Sequence, residues 1–230
     1  MIIIIVLFII NKKRNNNHFC MDNSHLFFEV GSCELIFGPM FARKTSLLTA
    51  ELNESSDIEL KCLYINNSKD VRDTKYYSDS ISSHSSQFSG LSDKVDRKKE
   101  TYLKDIDIDK YDVIGIDEGQ FFDDLNEVVR IWVLEKNKRV IIASLDGDFN
   151  MNPFGQAHLL ICLCEPGGIK KLGARCKRCM IKKKPYRHYR LIPAGFTRLN
   201  VDTDNTSQIL VGGQEEYEAV CMKCHIELNK

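Results

Sequence analysis

The stretch from Gly38 to Thr45 contains residue types that could bind phosphate. It follows a short apolar run, Leu35–Phe37, and precedes a segment with a helical pattern. A strand, a tight loop and a helix that opens on Lys-Thr form the arrangement of a phosphate-binding P-loop. In such a loop the backbone N–H groups hold phosphate oxygens, Lys44 reaches the outer phosphates and Thr45 holds Mg²⁺. The sequence therefore predicts a site for Mg²⁺ and a nucleoside triphosphate, formed by Gly38, Pro39, Met40, Phe41, Ala42, Arg43, Lys44 and Thr45.

One position of this loop departs from the P-loop pattern. The residue before Lys44 is glycine in the pattern, and here it is Arg43. Glycine lets the backbone turn tightly with its N–H aimed at a phosphate, whereas a side chain on a left-handed backbone costs about 1–2 kcal/mol. The chemistry of the loop thus predicts weakened or lost ATP binding. The alternative is that Arg43 swings outward and adds positive charge to the site.

A second candidate group stands at the end of another apolar run, Tyr111–Asp117. We expect this strand beside the P-loop strand, where an aspartate such as Asp117 commonly associates with Mg²⁺. Glu118 points elsewhere and is placed to accept a proton from a substrate hydroxyl, as a general base. The alternative interpretation is two surface acids that cap a following helix.

Two Cys-x-x-Cys pairs form the third candidate group, and their spacing predicts a metal site. The thiolates of Cys176, Cys179, Cys221 and Cys224 can converge on one tetrahedral Zn²⁺ with Zn–S distances of about 2.3 Å. Such a site leaves no open position for water, so we expect structural zinc. The alternative is two unrelated redox or buried pairs. His225 follows the last cysteine and is expected to be a bystander.

Composition and charge limit the classes of protein. The chain has 230 residues, of which 43% are hydrophobic, and 32 basic residues balance 32 acidic ones. This suits one folded α/β domain with a small appendage, and the balanced charge gives no general affinity for nucleic acid or membranes. Nine cysteines, an odd number that includes the two pairs, favour metal binding in a reducing compartment over a secreted disulfide framework. We therefore expect a cytoplasmic protein without a nucleic-acid or membrane partner.

The N-terminal segment stands apart from the rest. Met1–Ile10 is apolar throughout, and Asn11–Arg14 is abruptly basic. The apolar run is too short to span a bilayer, and no cleavage site marks it as a signal peptide. We expect residues 1–29 to be a disordered extension, or a product of a start assigned upstream of Met21. A membrane-dipping anchor is the other interpretation.

Strands and helices alternate along the middle of the sequence. This alternation predicts a parallel sheet with helices on both faces, the α/β architecture of P-loop nucleotide-binding domains. The polar stretch 67–104 has no long periodic segment and is expected to be a mobile loop with short elements. The predicted strands are Cys33–Phe37, Lys61–Asn66, Tyr111–Asp117 and Arg139–Leu145, and the predicted helices are residues 45–54 and Leu125–Lys136.

The character of the sequence changes after Cys164. Glu165–Gly168 is expected to break a helix that starts after Pro153, and the remainder is basic and strand-like. We place a domain boundary near residue 170, with a nucleotide-binding domain over 30–170 and a zinc-binding domain over 171–230. If zinc ties the two cysteine pairs, the residues between them form a closed loop that could lie over a ligand. Tyr217 and Phe149 could then form an aromatic wall for a base, although single aromatics are more often core residues.

The motifs, taken together and in order, resemble one known family. The chain contains GPMFxxKT from Gly38, IDEGQFF around Asp117, LDGDFNMNPFG around Phe149, and ILVGGxEEY between the cysteine pairs. From about residue 33 to residue 225, this set closely resembles the type II thymidine kinase family. Apart from the resemblance, the residues indicate only a phosphotransferase that uses Mg²⁺ and a nucleotide and carries a zinc appendage.

The resemblance implies an activity and assigns further residues to it. The family phosphorylates the 5′-hydroxyl of thymidine with ATP and Mg²⁺, holds structural Zn²⁺ and commonly forms tetramers. The resemblance implies that Glu118 is the base that activates the hydroxyl and that Phe149 stacks on the pyrimidine. The nucleotide site would also include Asp73, Thr74 and Lys75, with Asp70–Arg72 as a rival match, and Asp117, Glu118, Gly119 and Gln120. The lasso that covers the nucleoside would contain Gln208, Ile209, Leu210, Val211, Gly212 and Tyr217.

Two other hypotheses fit parts of the sequence. The first is a catalytically weakened or inactive paralogue, with Arg43 as the cause, that binds nucleosides or regulates an active partner. The second is a zinc-ribbon module for nucleic acid, based on the basic runs Lys182–Lys184 and Arg187–Arg190. Such runs are usually solvated faces of a fold, and the balanced charge counts against the second hypothesis.

Overall fold

The computed structural model describes residues 30–69, 90–182, 192–200 and 216–227. Several predicted segments lie outside these residues. They are the extension 1–29, the nucleotide-site segment Asp73 to Lys75, the basic run Arg187–Arg190 and the lasso residues Gln208 to Gly212.

Six parallel strands form the central sheet. Their order across the sheet is β3-β2-β4-β5-β1-β6, and each pair of neighbours is parallel. Because all strands run in one direction, the loops that follow β1, β4 and β5 meet at one edge of the sheet. The predicted parallel α/β sheet is therefore confirmed. The strands are β1 (Ser32–Phe37), β2 (Cys62–Asn67), β3 (Asp96–Glu100), β4 (Val113–Ile116), β5 (Arg139–Ser144) and β6 (Cys164–Lys171).

Helices cover both faces of this sheet. Helix α1 (Lys44–Asp57) follows the phosphate loop, and α2 (Leu125–Leu134) lies between β4 and β5. In the described part of the chain, short 3₁₀ helices span Leu103–Asp105, Gly119–Phe121 and Ala157–Leu163. Both predicted helices are present, although α1 extends to Asp57 and α2 ends at Leu134. None of the helices in the described parts of the chain is long and apolar enough to cross a membrane.

The strands bury side chains on both faces. In β1, Leu35 packs in one apolar cluster and the next residue, Ile36, packs in the cluster on the opposite face. Leu48 and Leu52 of α1 belong to the second cluster, and Trp132 of α2 belongs to the first. Each fully buried side chain of this size stabilises the fold by about 1.5–3 kcal/mol. Burial on both faces is why the strands read as near-continuous apolar runs in the sequence.

The strand order corrects one prediction. Strand β4, which ends next to Asp117, does not lie beside β1, because β5 pairs with both of them. The carboxyl end of β5 therefore stands between the ends of β1 and β4. The loop that follows β5 therefore lies between the two ends and contributes residues to the site.

Two stretches predicted as irregular contain strands. Asp96–Glu100 forms the edge strand β3, and its sequence is entirely charged because both the edge and much of its surface face solvent. Glu165–Gly168, predicted to break a helix, lies within β6, where the register jumps from Cys33–Cys164 to Leu35–Ile169. Since β6 belongs to the central sheet, that run continues the sheet. The domain division near residue 170 stays a prediction.

A small antiparallel unit follows β6 and surrounds the four predicted cysteines. We call its described residues, 172–182, 192–200 and 216–227, the cysteine unit. Its strand pairs are β7 with β8 and β9 with β10. Its elements are β7 (Ala174–Arg175), α3 (Lys177–Lys182), β8 (Pro193–Ala194), β9 (Phe196–Leu199), β10 (Tyr217–Val220) and α4 (Met222–Glu227).

An ion network ties β1, α1, β5 and β6 together. Arg139 Nη2 lies 2.7 Å from Glu34 Oε1 and 3.1 Å from Glu51 Oε2, and Lys170 Nζ lies 2.7 Å from Glu51 Oε1. The Arg139 and Glu51 side chains are 20% and 18% exposed. Burial raises the pKa of Glu51, but the hydrogen bonds and charges of Lys170 and Arg139 outweigh it and hold this pKa below the ordinary 4.5. The network therefore stabilises the charged carboxylate in the folded state.

We expect Arg139→Met to lower the free energy of unfolding by about 2–3 kcal/mol, measured by urea unfolding. The reason is that the largely buried carboxylates of Glu34 and Glu51 lose their shared partner. Lys136→Met is the control, because Lys136 pairs with Asp109 at side chains that are 51% and 76% exposed. That variant should lose less than about 1 kcal/mol. Equal losses in the two variants would contradict this account of the network.

The pH dependence of the same measurement tests the charge of Glu51. A carboxylate whose pKa is lower in the folded state stabilises the protein above its unfolded pKa, here 4.5, and this stabilisation is lost as the pH falls through the folded pKa. We expect Glu51→Gln to weaken the loss of stability between about pH 5 and about pH 2. An unchanged acid profile would show that Glu51 is not responsible for it.

Candidate functional site

The predicted phosphate loop connects the end of β1 to the first residue of α1. Gly38 has φ 153°, and a Cβ there would lie 2.6 Å from the carbonyl oxygen of Leu172. The close approach of these two backbone segments therefore requires glycine. The carbonyl oxygen of Pro39 accepts a hydrogen bond from Lys44 Nζ at 3.0 Å. A cavity of about 370 Å³ opens beside the loop, and it is lined by Met40, Phe41, Ala42, Arg43, Lys44, Thr45, Glu118 and Leu145.

Arg43 has the left-handed backbone that the glycine of the pattern would adopt. Its φ and ψ are 63° and 32°, and Phe41 two residues earlier also has a positive φ of 65°. Helix α1 nevertheless begins at Lys44, and the N–H of Leu47 donates to the Arg43 carbonyl at 3.1 Å. The Arg43 side chain is exposed. Within the described residues, no side chain or carbonyl pairs with its guanidinium. The strain expected from the sequence is present, but it does not break the loop.

Thr45 and Asp117 meet directly, although β5 separates their strands. Thr45 Oγ1 donates to Asp117 Oδ2 at 2.8 Å, and the hydroxyl of Tyr64 donates to the same oxygen at 2.8 Å. Burial, and in second place the charge of Glu118, raise the pKa of Asp117 to about 6. A buried carboxylate beside a hydroxyl is a donor set of the kind that Mg²⁺ accepts. These side chains could therefore hold a magnesium ion that also binds phosphate.

Glu118 leaves the strand direction immediately after Asp117. Its backbone is left-handed, with φ 50° and ψ 44°, so its side chain reaches the cavity beside the phosphate loop. Gln120 Nε2 donates to Glu118 Oε2 at 2.5 Å, and Gln120 Oε1 accepts from the N–H of Leu145 at 3.0 Å. Gly119, which lies between Glu118 and Gln120 in the sequence, is buried. A carboxylate held in this way on the wall of a cavity can accept a proton from a bound hydroxyl.

The loop after β5 brings Phe149 to the same side of the molecule. Asp148 Oδ1 accepts the N–H groups of Asn150 at 2.9 Å and Asn152 at 2.8 Å, which fixes the turn around Phe149. The Phe149 ring packs against an apolar cluster whose buried members are Met40, Leu145, Phe154 and Tyr217. Met40 and Leu145 also line the cavity. Phe149 and Tyr217, predicted as an aromatic wall, thus belong to one cluster next to the phosphate loop.

Besides the packing of Tyr217, two hydrogen bonds between described residues join the cysteine unit to this site. The N–H of Met40, in the phosphate loop, donates to Thr197 Oγ1 at 2.9 Å. His225 Nε2 lies 3.0 Å from the carbonyl oxygen of Phe149. His225, expected to be a bystander, is therefore the residue through which α4 bonds to the aromatic loop.

The four cysteines of the unit form one cluster. Their sulfur atoms lie within 4.8 Å of one another, with 3.8 Å between Cys179 and Cys221 and 3.5 Å between Cys179 and Cys224. A tetrahedral site with Zn–S bonds of about 2.3 Å places its sulfurs about 3.8 Å apart. Burial raises the pKa of Cys176, but hydrogen bonds from the backbone of Cys179 and Cys221 outweigh it and leave this pKa below the ordinary 9.0. Burial raises the pKa of Cys179 and of Cys224, so it is the geometry of the four sulfurs that supports a zinc site.

Two polar contacts of the site were not predicted from the sequence. Tyr64 and Thr197 stand in strands β2 and β9 and show no motif. A signal existed for Tyr64, since a tyrosine in a fully buried strand must find a partner for its hydroxyl. No comparable signal marked Thr197, because a β-branched hydroxyl residue is common in any strand.

The sequence matches the family described as Thymidine kinase over residues 31–225. It is 34% identical to "Thymidine kinase 1" of Dictyostelium discoideum over 204 residues, which are 85% of this chain and 78% of that protein. It is also 34% identical to "Thymidine kinase" of vaccinia virus (strain Western Reserve) over 201 residues, 86% and 98% of the two chains. Human "Thymidine kinase, cytosolic" is 31% identical over 199 residues, 86% and 74% of the two chains. With a match of this extent and a phosphate loop bonded to the Asp-Glu-Gly-Gln segment, this chain belongs to the thymidine kinase family.

Proposed function

We propose that this protein transfers the γ-phosphate of ATP to the 5′-hydroxyl of thymidine. The observation that carries the proposal is the bond from Thr45 to Asp117, which joins the phosphate loop to the segment that bears Glu118. Met40 and Leu145 line the cavity beside that bond and also belong to the apolar cluster that contains Tyr217 and packs against Phe149. This arrangement supports a phosphate site, a base and an aromatic surface in the order that a nucleoside kinase requires. The names of the relatives support the choice of thymidine.

Each group has a defined role in the proposed reaction. The amides of the phosphate loop and Lys44 hold the triphosphate, and Phe149 packs against the pyrimidine. Thr45 and Asp117 would hold Mg²⁺, which would supply positive charge to the phosphates when bound. Glu118 takes the proton from the 5′-hydroxyl as the oxygen forms its bond to the γ-phosphorus. The bond from the γ-phosphorus to the oxygen that bridges the β- and γ-phosphates breaks, and ADP and thymidine monophosphate leave.

Thymidine monophosphate formation with Mg·ATP tests this proposal, and Glu118→Gln tests the role of the base. We expect the variant to lose about 10²–10⁴-fold in kcat, because the amide cannot accept the proton. Its KM values should change little, because the side chain keeps its size. Glu127→Gln, an exposed acid on α2, is the matched control and should keep full activity. A wild-type protein that forms no product would overturn the proposal.

The alternative, a weakened paralogue that only binds nucleosides, depends on Arg43 blocking ATP. The exposed Arg43 side chain and the intact start of α1 argue for an open loop. No described residue of the site lacks the chemistry of its predicted role. We therefore propose that Arg43 is compatible with turnover and that its guanidinium adds positive charge next to the triphosphate.

Substitutions of Arg43 separate its charge from its backbone strain. Arg43→Gly and Arg43→Asn both suit a left-handed backbone and should raise the free energy of unfolding by about 0.5–1 kcal/mol. Both remove the cation and should raise the KM for ATP about 2–5-fold, the scale of one partly exposed charge contact. Arg43→Lys keeps the charge and the strain and should resemble wild type. A gain in kcat/KM above about tenfold in Arg43→Gly would instead support the weakened paralogue.

We also propose that the cysteine cluster holds one structural Zn²⁺. The thiolate distances support it, and all the ligands come from the protein, so the ion contributes to folding and not to the transfer step. We expect elemental analysis to give one zinc per chain, and Cys221→Ser to lose the metal and several degrees of thermal stability. Cys162→Ser is the control, since that cysteine is exposed and free. Equal zinc content in Cys221→Ser and wild type would argue against the site.

Homo-oligomer formation and a cytoplasmic location complete the proposal. Strand β6 is an edge of the sheet, and near it Leu159, Ile161 and Ile169 are 48%, 48% and 42% exposed. A sheet edge that no other described strand pairs with, and that has apolar neighbours, favours pairing with another chain, in line with the tetramers of the family. A solution mass of one chain by light scattering would contradict this. None of the eight described cysteines forms a disulfide, which suits the reducing cytoplasm. Recovery of the protein in a secreted or membrane fraction would contradict that location.

A further inference from the structure

His225 is a buried polar side chain that links the cysteine unit to the aromatic loop. It is 1% exposed, and its Nε2 lies 3.0 Å from the carbonyl oxygen of Phe149, a residue 76 positions away in the sequence. A carbonyl oxygen can only accept a hydrogen bond, so Nε2 carries the hydrogen and donates it. The bond therefore fixes the main chain of Phe149 to helix α4.

The position of the His225 ring depends on the turn that contains two of the four cysteines. His225 follows Cys224 directly, and its backbone N–H donates to the carbonyl of Cys221 at 2.9 Å. Its ring meets Phe196 of β9 edge-on, with 5.9 Å between ring centres and 65° between ring planes. Two of the four ligands thus stand within the same turn as His225. Any loosening of that turn moves the hydrogen-bond donor.

The other end of the bond belongs to the aromatic wall. Phe149 packs in the cluster with Tyr217, and Tyr217 begins the strand β10 that runs directly into Cys221. The turn around Phe149 is held on its other side by Asp148. The metal cluster is therefore joined to this wall by two short routes, one through β10 and one through His225.

We infer that His225 is a positioning residue that couples metal occupancy of the four-cysteine cluster to the affinity for nucleoside. Its hydrogen bond holds Phe149 where the ring can pack on the pyrimidine, and it is formed when the cysteines hold the turn of α4 together. The inference rests on the proposed function, because the nucleoside is the ligand whose affinity changes. It gives the zinc site a role in substrate binding in addition to folding.

The test compares His225→Leu, which removes the donor, with His225→Gln, whose side-chain amide can donate to the same carbonyl. We expect His225→Leu to raise the dissociation constant and KM for thymidine about tenfold, since the part-buried carbonyl of Phe149 loses its partner. The kcat and the KM for ATP should stay within about twofold, and the zinc content should stay at one per chain. His225→Gln should recover most of the thymidine affinity. Calorimetry without ATP gives the dissociation constant independently of turnover.

Arg178→Gln is the matched control in the same unit. Arg178 Nε pairs with the buried Glu218 at 2.5 Å, and within the described residues no hydrogen bond or ion pair joins Arg178 to the aromatic loop. This variant should lower the stability of the unit without a specific change in thymidine affinity. If it raises the thymidine dissociation constant as much as His225→Leu does, the effect is general loosening and the inference fails.

Linkage provides a readout that does not depend on activity. Because coupling between two sites is reciprocal, saturating thymidine should increase the retention of zinc against a competing chelator in the wild type, and by less in His225→Leu. An unchanged thymidine affinity in His225→Leu, or an equal defect in His225→Gln, overturns the inference alone. A wild-type protein that does not bind thymidine overturns the proposed function together with it.

Discussion

The hydrogen bond between Thr45 and Asp117 is the contact on which the site depends. Strand β5 lies between the strands that precede these residues, and two strand spacings amount to about 10 Å. The gap is closed because Thr45 stands in the first turn of α1, which crosses the sheet towards β4. Tyr64 of β2 then holds the same carboxylate oxygen from the other side. The phosphate loop and the acidic segment are thereby fixed relative to each other before any ligand binds.

The second constraint is the attachment of the cysteine unit to that centre. Thr197 accepts the N–H of Met40, and His225 bonds to the carbonyl of Phe149, so the unit holds one backbone group on each side of the site. Both contacts involve buried groups, where an unpaired polar atom costs about 1–3 kcal/mol. The four cysteines keep their unit compact despite its small apolar cluster. A metal site distant from the reacting atoms can therefore influence how the pyrimidine surface is shaped.

Backbone strain is concentrated around the same cavity. Phe41, Arg43 and Glu118 all have positive φ without being glycine, and Met151 follows in the loop after Phe149. Each such residue costs on the order of 1–2 kcal/mol. The packed sheet and the ion network of Arg139 lie outside this strained edge and stabilise the fold that maintains it. Strain of this kind aims side chains that regular strands would turn away, as with Glu118 beside Asp117.

The sequence by itself determined the local features: the phosphate loop, the four cysteines and the parallel α/β class. These follow from short-range rules, since a tight loop before a helix, Cys-x-x-Cys turns and buried apolar strands each have a fixed spacing. It also marked Arg43 as a residue in a glycine position, but the exposure of that side chain emerged only from the fold. Tertiary structure decided the place of β5 between β1 and β4, the charged edge strand β3, and the partners of Tyr64 and His225. Such contacts join residues far apart in the chain, and they depend on how whole elements pack, which no local pattern encodes.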